Sequence, residues 1–356
     1  MIRTFYTVGQ GAFYTEKFNN GFTVVYDCGG QNKRIIKNKI KQEFNKNEKI
    51  DILFISHFHG DHINGLEFLL TYCDVKRVIL PLLEDDMKLQ FFIENNSYYR
   101  YQNSFLKNLI LNPKDSLKNQ EITFVEPYDT KIDIDISNLN TIKSGELLHS
   151  SYTSEWIYVT YNMYNNSFSK DLQKELTSIG VDISNIENKL TTNKINIINK
   201  YKSVIDRGGF NANSLVVFSG FRNHANCNIT SSCKFLCQEV VSKKNGCLYL
   251  GDFEAKEDDS MQILKSVFHN YWDNISVVQI PHHGSYKNYH TELSWSESIS
   301  VISTGFRYSH PSSKVIEDIK SNNSYACIVS QHPNSEVSQY INLEIILEKD
   351  YTEYLI

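Results

Sequence analysis

The run Ser56-His57-Phe58-His59-Gly60-Asp61-His62 places four metal-ligand side chains within six positions. Imidazole nitrogen mixed with carboxylate oxygen suits zinc, manganese or iron better than calcium or magnesium. This spacing allows His57 and His59 to chelate one ion while Asp61 and His62 turn toward a second. Structural zinc sites use cysteine and space their ligands more evenly, so the cluster reads as a reactive centre. Two divalent ions about 3.5–4 Å apart lower the pKa of a shared water toward neutrality and clamp both oxygens of a displacement. The expected chemistry is hydrolysis by a metal-bridged hydroxide at phosphorus or at a carbonyl carbon.

Such a cluster needs elements that aim it. Ile52-Leu53-Phe54-Ile55 reads as a buried parallel strand, and Ile63, Leu66 and Leu70 form an apolar stripe at helical spacing. Strand, loop and helix together deliver ligands to the carboxyl edge of a sheet. Three later segments do the same: Leu248-Tyr249-Leu250-Gly251-Asp252, Gln279-Ile280-Pro281-His282-His283-Gly284-Ser285 and Arg307-Tyr308-Ser309-His310-Pro311. A single Gly-Asp or His-Pro carries no information, but here each follows an apolar strand. Neighbouring strand residues point opposite ways, so one of His282 and His283 is expected to reach metal. His224, Cys227, Cys233 and Cys237 fall in an expected hairpin, with irregular spacing and no C-x-x-C, a weak basis for a structural zinc.

Strand-like runs at residues 3–8, 12–17 and 22–27 open the chain, ending in Cys28-Gly29-Gly30. A lysine-rich helix follows, with Ile36, Ile40 and Phe44 on its apolar face. Residues 84–210 change character toward Asn, Lys, Ser and Tyr. Within them, residues 87–111 read as helix, 122–125 and 156–161 as strands, and Ile183, Ile186, Leu190, Ile197, Tyr201 and Val204 as a longer amphipathic helix. No Pro/Gly-rich linker brackets this stretch. We therefore read 1–356 as a single domain with 84–210 as a largely helical insertion, a lid or a surface for a protein partner.

Composition sets outer bounds. The 356 residues are 41% hydrophobic and 22% charged, ordinary for a globular chain, and the net charge of −5 advertises no global affinity for nucleic acid. No stretch approaches the roughly 20 apolar residues of a membrane helix, and Met1 to Tyr6 has no basic region followed by an apolar one, so no secretory signal is expected. Seven scattered cysteines suit reduced thiols. A cytoplasmic location without a membrane is expected.

Taken in order, Val8-Gly9-Gln10-Gly11, Asp27-Cys28-Gly29-Gly30, the 57–62 cluster, Asn213-Ser214-Leu215-Val216-Val217, Gly251-Asp252, Pro281-His282-His283-Gly284-Ser285 and Tyr308-Ser309-His310-Pro311 resemble the metallo-β-lactamase superfamily. Within it they resemble the hydrolase domain of ComEC-type competence proteins. The resemblance implies an α/β fold, a four-layer αββα sandwich with two divalent ions (zinc or manganese) between its sheets. It implies His57 and His59 on the first ion, Asp61 and His62 on the second, and Asp252 bridging. His283 or His310 completes the second ion, with His283 favoured because the family's late ligand commonly sits in a strand–His–Gly turn. His310, His282 and Asp61 would then take part in catalysis and proton transfer. Ser285 and the N–H groups around Gly284 would hold a non-bridging oxygen. Asp27 would orient a ligand histidine. Asn211 and Asn213 stand where many members carry a histidine, which would leave the first ion weakly held, with Asn213 beside it. Ala12 replaces a usual aspartate. The implied activity is that of a phosphodiesterase or nuclease on DNA or RNA. A hydrolase of a small ester, lactone or phosphodiester, and a non-catalytic metal-stabilised interaction module, are the alternatives.

Overall fold

Alternation of apolar residues decides which faces of each strand are covered. A computed structural model describes residues 1–98, 104–128, 136–149, 156–163, 167–205, 214–222, 227–235, 238–305 and 309–345. The chain opens with antiparallel β1 (Ile2–Phe5), β2 (Tyr14–Lys17) and β3 (Thr23–Tyr26), then α1 (Lys33–Glu43). The Asn32 side chain starts α1 by accepting from the N–H groups of Arg34 and Ile35, and Ile36 and Ile40 are its buried stripe. Next comes β4 (Lys49–Phe54), parallel to β3. Leu53 and Ile55 face an outer helical core while Ile52 and Phe54 face the second sheet, the two-sided burial that parallel strands require.

The metal-ligand cluster lies between β4 and the short α2 (Gly60–Ile63), and α3 (Leu66–Tyr72) returns the chain to β5 (Asp74–Pro81). Then follow α4 (Asp85–Tyr98), α5 (Ser104–Leu111), α6 (Pro113–Ser116), β6 (Glu121–Glu126), β7 (Thr141–Lys143), β8 (Leu147–His149) and β9 (Trp156–Asn162). Helices α7 (Ser167–Thr177), α8 (Ile186–Thr192) and α9 (Lys194–Ile205) come next. They are followed by β10 (Leu215–Phe221), β11 (Cys227–Phe235), β12 (Gln238–Ser242) and β13 (Gly246–Tyr249). The chain closes through α10 (Asp258–Val267), β14 (Ile275–Gln279), β15 (Ile299–Ser303), α11 (Ser313–Ser321), β16 (Tyr325–Val329) and β17 (Val337–Ile345).

Two sheets result, ordered β12-β11-β17-β1-β2-β3-β4-β5-β6-β7 and β16-β15-β14-β13-β10-β9-β8. One apolar core lies between them. A second joins the first sheet to α1, α3, α4, α5, α7 and α9, and a third joins the other sheet to α10 and α11. This is the four-layer αββα sandwich. Deep between the sheets Arg3 donates to Glu16 at 2.7 Å, and Glu16 accepts from Ser219, Tyr158 and Tyr249 at 2.7–3.0 Å. This buried network ties β1 and β2 to the second sheet.

The 84–210 stretch is divided between these layers. Its strands are integral: β6 and β7 extend the first sheet, while β8 and β9 belong to the second, where β9 pairs with β10 over its full length. Its helices α4, α5, α7 and α9 cover the first sheet. Of the expected helix over 87–111 the described residues form α4 up to Tyr98 and α5 from Ser104, and the longer amphipathic one is broken at Asn193 between α8 and α9. Among the described residues no helix is long and apolar enough to cross a membrane.

Candidate metal centre

Parallel strands end together, and here they end on one edge: β3 and β4 in the first sheet, β13, β14 and β15 in the second. The turns that follow carry Asp27, His57 to His62, Asp252, His283 and His310. Two groups of ligand atoms form there: His57, His59 and Asp252 in one, Asp61, His62 and His283 in the other, with the atoms of each group within 4.8 Å of one another. Asp252 lies between the groups. Its Oδ2 is 3.5 Å from His57 Nε2, and its Oδ1 is 3.2 Å from His62 Nε2 and 3.9 Å from His283 Nε2.

The 57–62 loop is set by close backbone approach. Ala12 donates its N–H to the Asp61 carbonyl at 3.3 Å, and Cys28 donates to the His62 carbonyl at 2.9 Å. A Cβ on Gly29 would lie 1.9 Å from the Asp61 carbonyl oxygen, so no side chain fits there. The Asp252 turn is fixed by the Gln279 amide, whose Oε1 accepts from the N–H groups of Leu250 and Gly251 at 2.8 and 2.7 Å. Asp27, His282 and His283 all hold left-handed backbone (φ +56°, +46°, +55°), strain of the kind concentrated at functional sites.

Each imidazole has its outer nitrogen occupied. His57 Nδ1 donates to Ser56 Oγ at 2.9 Å, while Ser56 donates to Asp27 at 2.6 Å. His59 Nε2 donates to Glu94 at 2.7 Å, His62 Nδ1 to Asp27 at 2.7 Å, and His283 Nδ1 to the Ser303 carbonyl at 2.9 Å. The inner nitrogens therefore turn toward one another and toward the carboxylates, the arrangement of ligating histidines held by outer partners. His57 Nε2 and His59 Nδ1 face each other at 3.0 Å, and His283 Nε2 meets Asp61 at 3.2 Å. His62 Nε2, Asp252 Oδ1 and His283 Nε2 are buried without a well-directed hydrogen bond, their nearest polar neighbours being one another and Asp61 at 3.2–3.9 Å. Buried polar atoms seldom go unmatched, and atoms of this chemistry converging on one point fit divalent cations.

Electrostatics points the same way. Burial pushes His57 down to about 3, a neutral ligand nitrogen. Burial also opposes charge on His59, His62 and His283, yet all three are raised: Glu94 raises His59, Asp252 and Asp27 raise His62, and Asp61 raises His283. Asp252 and Asp61 are held below the usual carboxylate range despite burial, Asp252 by His282, His62 and His57, and Asp61 by His283 and His62. The buried acids thus demand positive charge, supplied by protons on imidazole or by cations that displace them.

Residues 282–284 form a tight turn beyond the end of β14, and strand alternation does not apply to them. Both imidazoles face Asp252 at 3.9 Å, His283 buried and His282 half-buried. The N–H groups of Gly284 and Ser285 are consumed within the turn, bonding the Pro281 and His282 carbonyls at 3.1 and 2.9 Å. They are not free to hold a substrate oxygen, contrary to expectation. His310 is in neither ligand group; its ring lies 6.0 Å from that of His282. Asn213 and Asn211 lie outside the described residues, as do His224, Cys237 and the side chains of Cys227 and Cys233. Sequence reasoning missed the roles of Glu94, Ser56, Gln279 and Ser214, whose Oγ accepts from the Asp252 N–H at 3.1 Å. Glu94, 2% exposed, comes from α4 and also accepts from Tyr201 and Gln90 at 3.0 and 2.9 Å. Its one signal was an acid set in the apolar run Phe91-Phe92-Ile93.

Residues 12–147 match the model of the metallo-beta-lactamase superfamily, and that segment contains the whole 57–62 cluster. Over those residues the chain is similar to that superfamily. The similarity agrees with the two ligand groups that the turns assemble. Among solved structures, the chain is similar to MEM-A1, a subclass B3 metallo-beta-lactamase isolated from a soil metagenome library. That likeness has 10% identity and a TM-score of 0.32, covering 79% of this chain and 76% of that one. No curated protein matches the chain.

Proposed function

We propose that the chain is a metal-dependent hydrolase of this superfamily, a phosphodiesterase acting on nucleic acid, a nuclease of the ComEC type. The observation that carries the reading is the meeting of both ligand groups at Asp252, with the two further imidazoles of His282 and His310 beside them. His57, His59 and Asp252 would hold one zinc or manganese ion; Asp61, His62 and His283 would hold the other. When bound, such a pair activates water near neutral pH and offsets the charge of a phosphodiester in displacement.

The remaining work falls to the chain's own side chains. Asp27, Glu94 and the Ser303 carbonyl keep the ligand imidazoles oriented. Burial lowers His282 to about 4 and also lowers His310, so both are neutral at pH 7 before substrate arrives. A phosphodiester anion alongside raises them again, and the proton so gained is available at the ring nitrogen for the departing alkoxide. A Lewis-acid centre also suits esters and lactones, since one scaffold hosts many chemistries.

The test offers the purified protein, with Mn²⁺ or Zn²⁺, bis(4-nitrophenyl) phosphate, 4-nitrophenyl acetate, a β-lactam, and single- and double-stranded DNA and RNA. The reading predicts turnover of the diester and of nucleic acid, abolished in Asp61→Ala/Asp252→Ala. Turnover confined to ester or lactam, or full activity in the double variant, contradicts it.

A further inference from the structure

Three turns leave the ligand cluster side by side on the edge of the second sheet. His282 donates its N–H to the Gly251 carbonyl at 3.1 Å, Ala255 to that of Asn288 at 3.0 Å, and Ser312 to that of Gly284 at 3.0 Å. Each turn passes Asp252, His283 or His310 and three or four residues later reaches Lys256, Tyr286 or Lys314. At 3.3–3.6 Å per residue these lie within about 10–14 Å of the cluster residue before them.

Tyr286 is 38% exposed, whereas Tyr14, Tyr158 and Tyr249 are deeply buried. Its ring has the Lys256 ammonium 4.1 Å and the Lys314 ammonium 4.9 Å from its centre. Among the described residues neither ammonium has a carboxylate partner, and both lie against this ring. Two like charges held on one ring repel, and the ring returns only about 0.5–1 kcal/mol for each at an exposed site. Lys314 also stands in the first turn of α11, where a cation opposes the helix dipole. Local stability does not account for this grouping, whereas an anionic ligand would. Exposed Lys287 adds a further charge beside it.

We propose that Tyr286, Lys256 and Lys314 form a rim that receives single-stranded nucleic acid, a base stacking on Tyr286 and the flanking phosphates meeting the two lysines. This rests on the phosphodiesterase reading and adds the strand form of the substrate. A duplex keeps its bases stacked and offers the ring nothing, whereas a single strand presents every base face.

The test is fluorescence anisotropy of the full chain with a labelled phosphorothioate 15-mer, as single strand and as duplex, across a salt series. The wild-type protein prefers the single strand. Tyr286→Ala weakens that binding between about fivefold and 150-fold, and Tyr286→Phe, which keeps the ring, restores most of it. Lys256→Gln/Lys314→Gln lowers the slope of log affinity against log salt by about 1.4. Preference for duplex, no binding of either form, equal loss in the Ala and Phe variants, an unchanged salt slope, or a mononucleotide competing as well as the strand overturns the proposal. Turnover of bis(4-nitrophenyl) phosphate is measured in parallel. Metal-dependent turnover with strand binding indifferent to the rim leaves the phosphodiesterase standing and removes the rim. Rim-dependent strand binding without diester turnover removes the phosphodiesterase instead.

Discussion

Glu94→Gln exchanges one carboxylate oxygen for an amide at nearly constant volume, in a position where three donors converge. His59 Nε2, the Tyr201 hydroxyl and Gln90 Nε2 all point at this carboxylate, at 2.7, 3.0 and 2.9 Å. An amide offers one acceptor oxygen, so one donor must face an NH₂ group. Hydrogen bonds to a charged acceptor are worth about 1.5–3 kcal/mol, and loss of an outer partner of a ligating histidine costs typically 10–100-fold in metal affinity. The two ranges overlap, and the loss should fall on the group that contains His59. We expect Glu94→Gln to weaken one of two zinc sites by about 10–100-fold in competition with a chromophoric chelator, with the other site little changed. Glu94→Ala should add a loss of stability of about 1–3 kcal/mol, because it removes the buried charged acceptor of the Tyr201 hydroxyl and the Gln90 amide. Tyr201→Phe should cost about 1 kcal/mol and little metal affinity. Both sites unchanged in Glu94→Gln, or both weakened alike, would refute the assignment of Glu94 to His59.

Gly29→Ala places its Cβ 1.9 Å from a backbone oxygen that cannot move without moving Asp61, so it should lower both the denaturation midpoint, by the equivalent of about 1–3 kcal/mol or more, and metal affinity; wild-type values in both would contradict the close approach. Arg3→Met removes one partner of the buried pair with Glu16 and should cost about 3–5 kcal/mol in urea unfolding, without changing metal affinity. The raised pKa values of His59, His62 and His283 in the folded chain give a stabilisation fully present below the unfolded value of about 6.5 and lost as pH rises through the folded values. Chelator should therefore depress the melting temperature more at pH 8.5 than at pH 6; an equal or smaller depression at pH 8.5 would contradict this.

Much of the site is local in the chain and could be read there. The run from His57 to His62 carries its own spacing, and Gly251-Asp252 and His282-His283 each announce a strand end. Asp27, expected beside a ligand histidine, lies 2.7 Å from His62. What stayed hidden is tertiary. Glu94 reaches His59 across 35 residues of sequence, and nothing in helical periodicity marks which face of α4 turns to the centre. The turn at His282 and His283 depends on left-handed backbone at two non-glycine residues, which no propensity favours. Strands β6 and β9, legible at 122–125 and 156–161, are inner members of the two sheets, a membership their asparagine-rich surroundings disguised. Asn193 divides α8 from α9 where apolar spacing alone ran through.

Metal content measured by mass spectrometry, on protein loaded with zinc or manganese and freed of excess, tests the centre most directly. The account predicts two ions per chain in the wild-type protein, and fewer than one in Asp252→Ala, which removes the carboxylate shared by both ligand groups. Asp252→Ala that retains two ions, or wild-type protein that holds none, would contradict it.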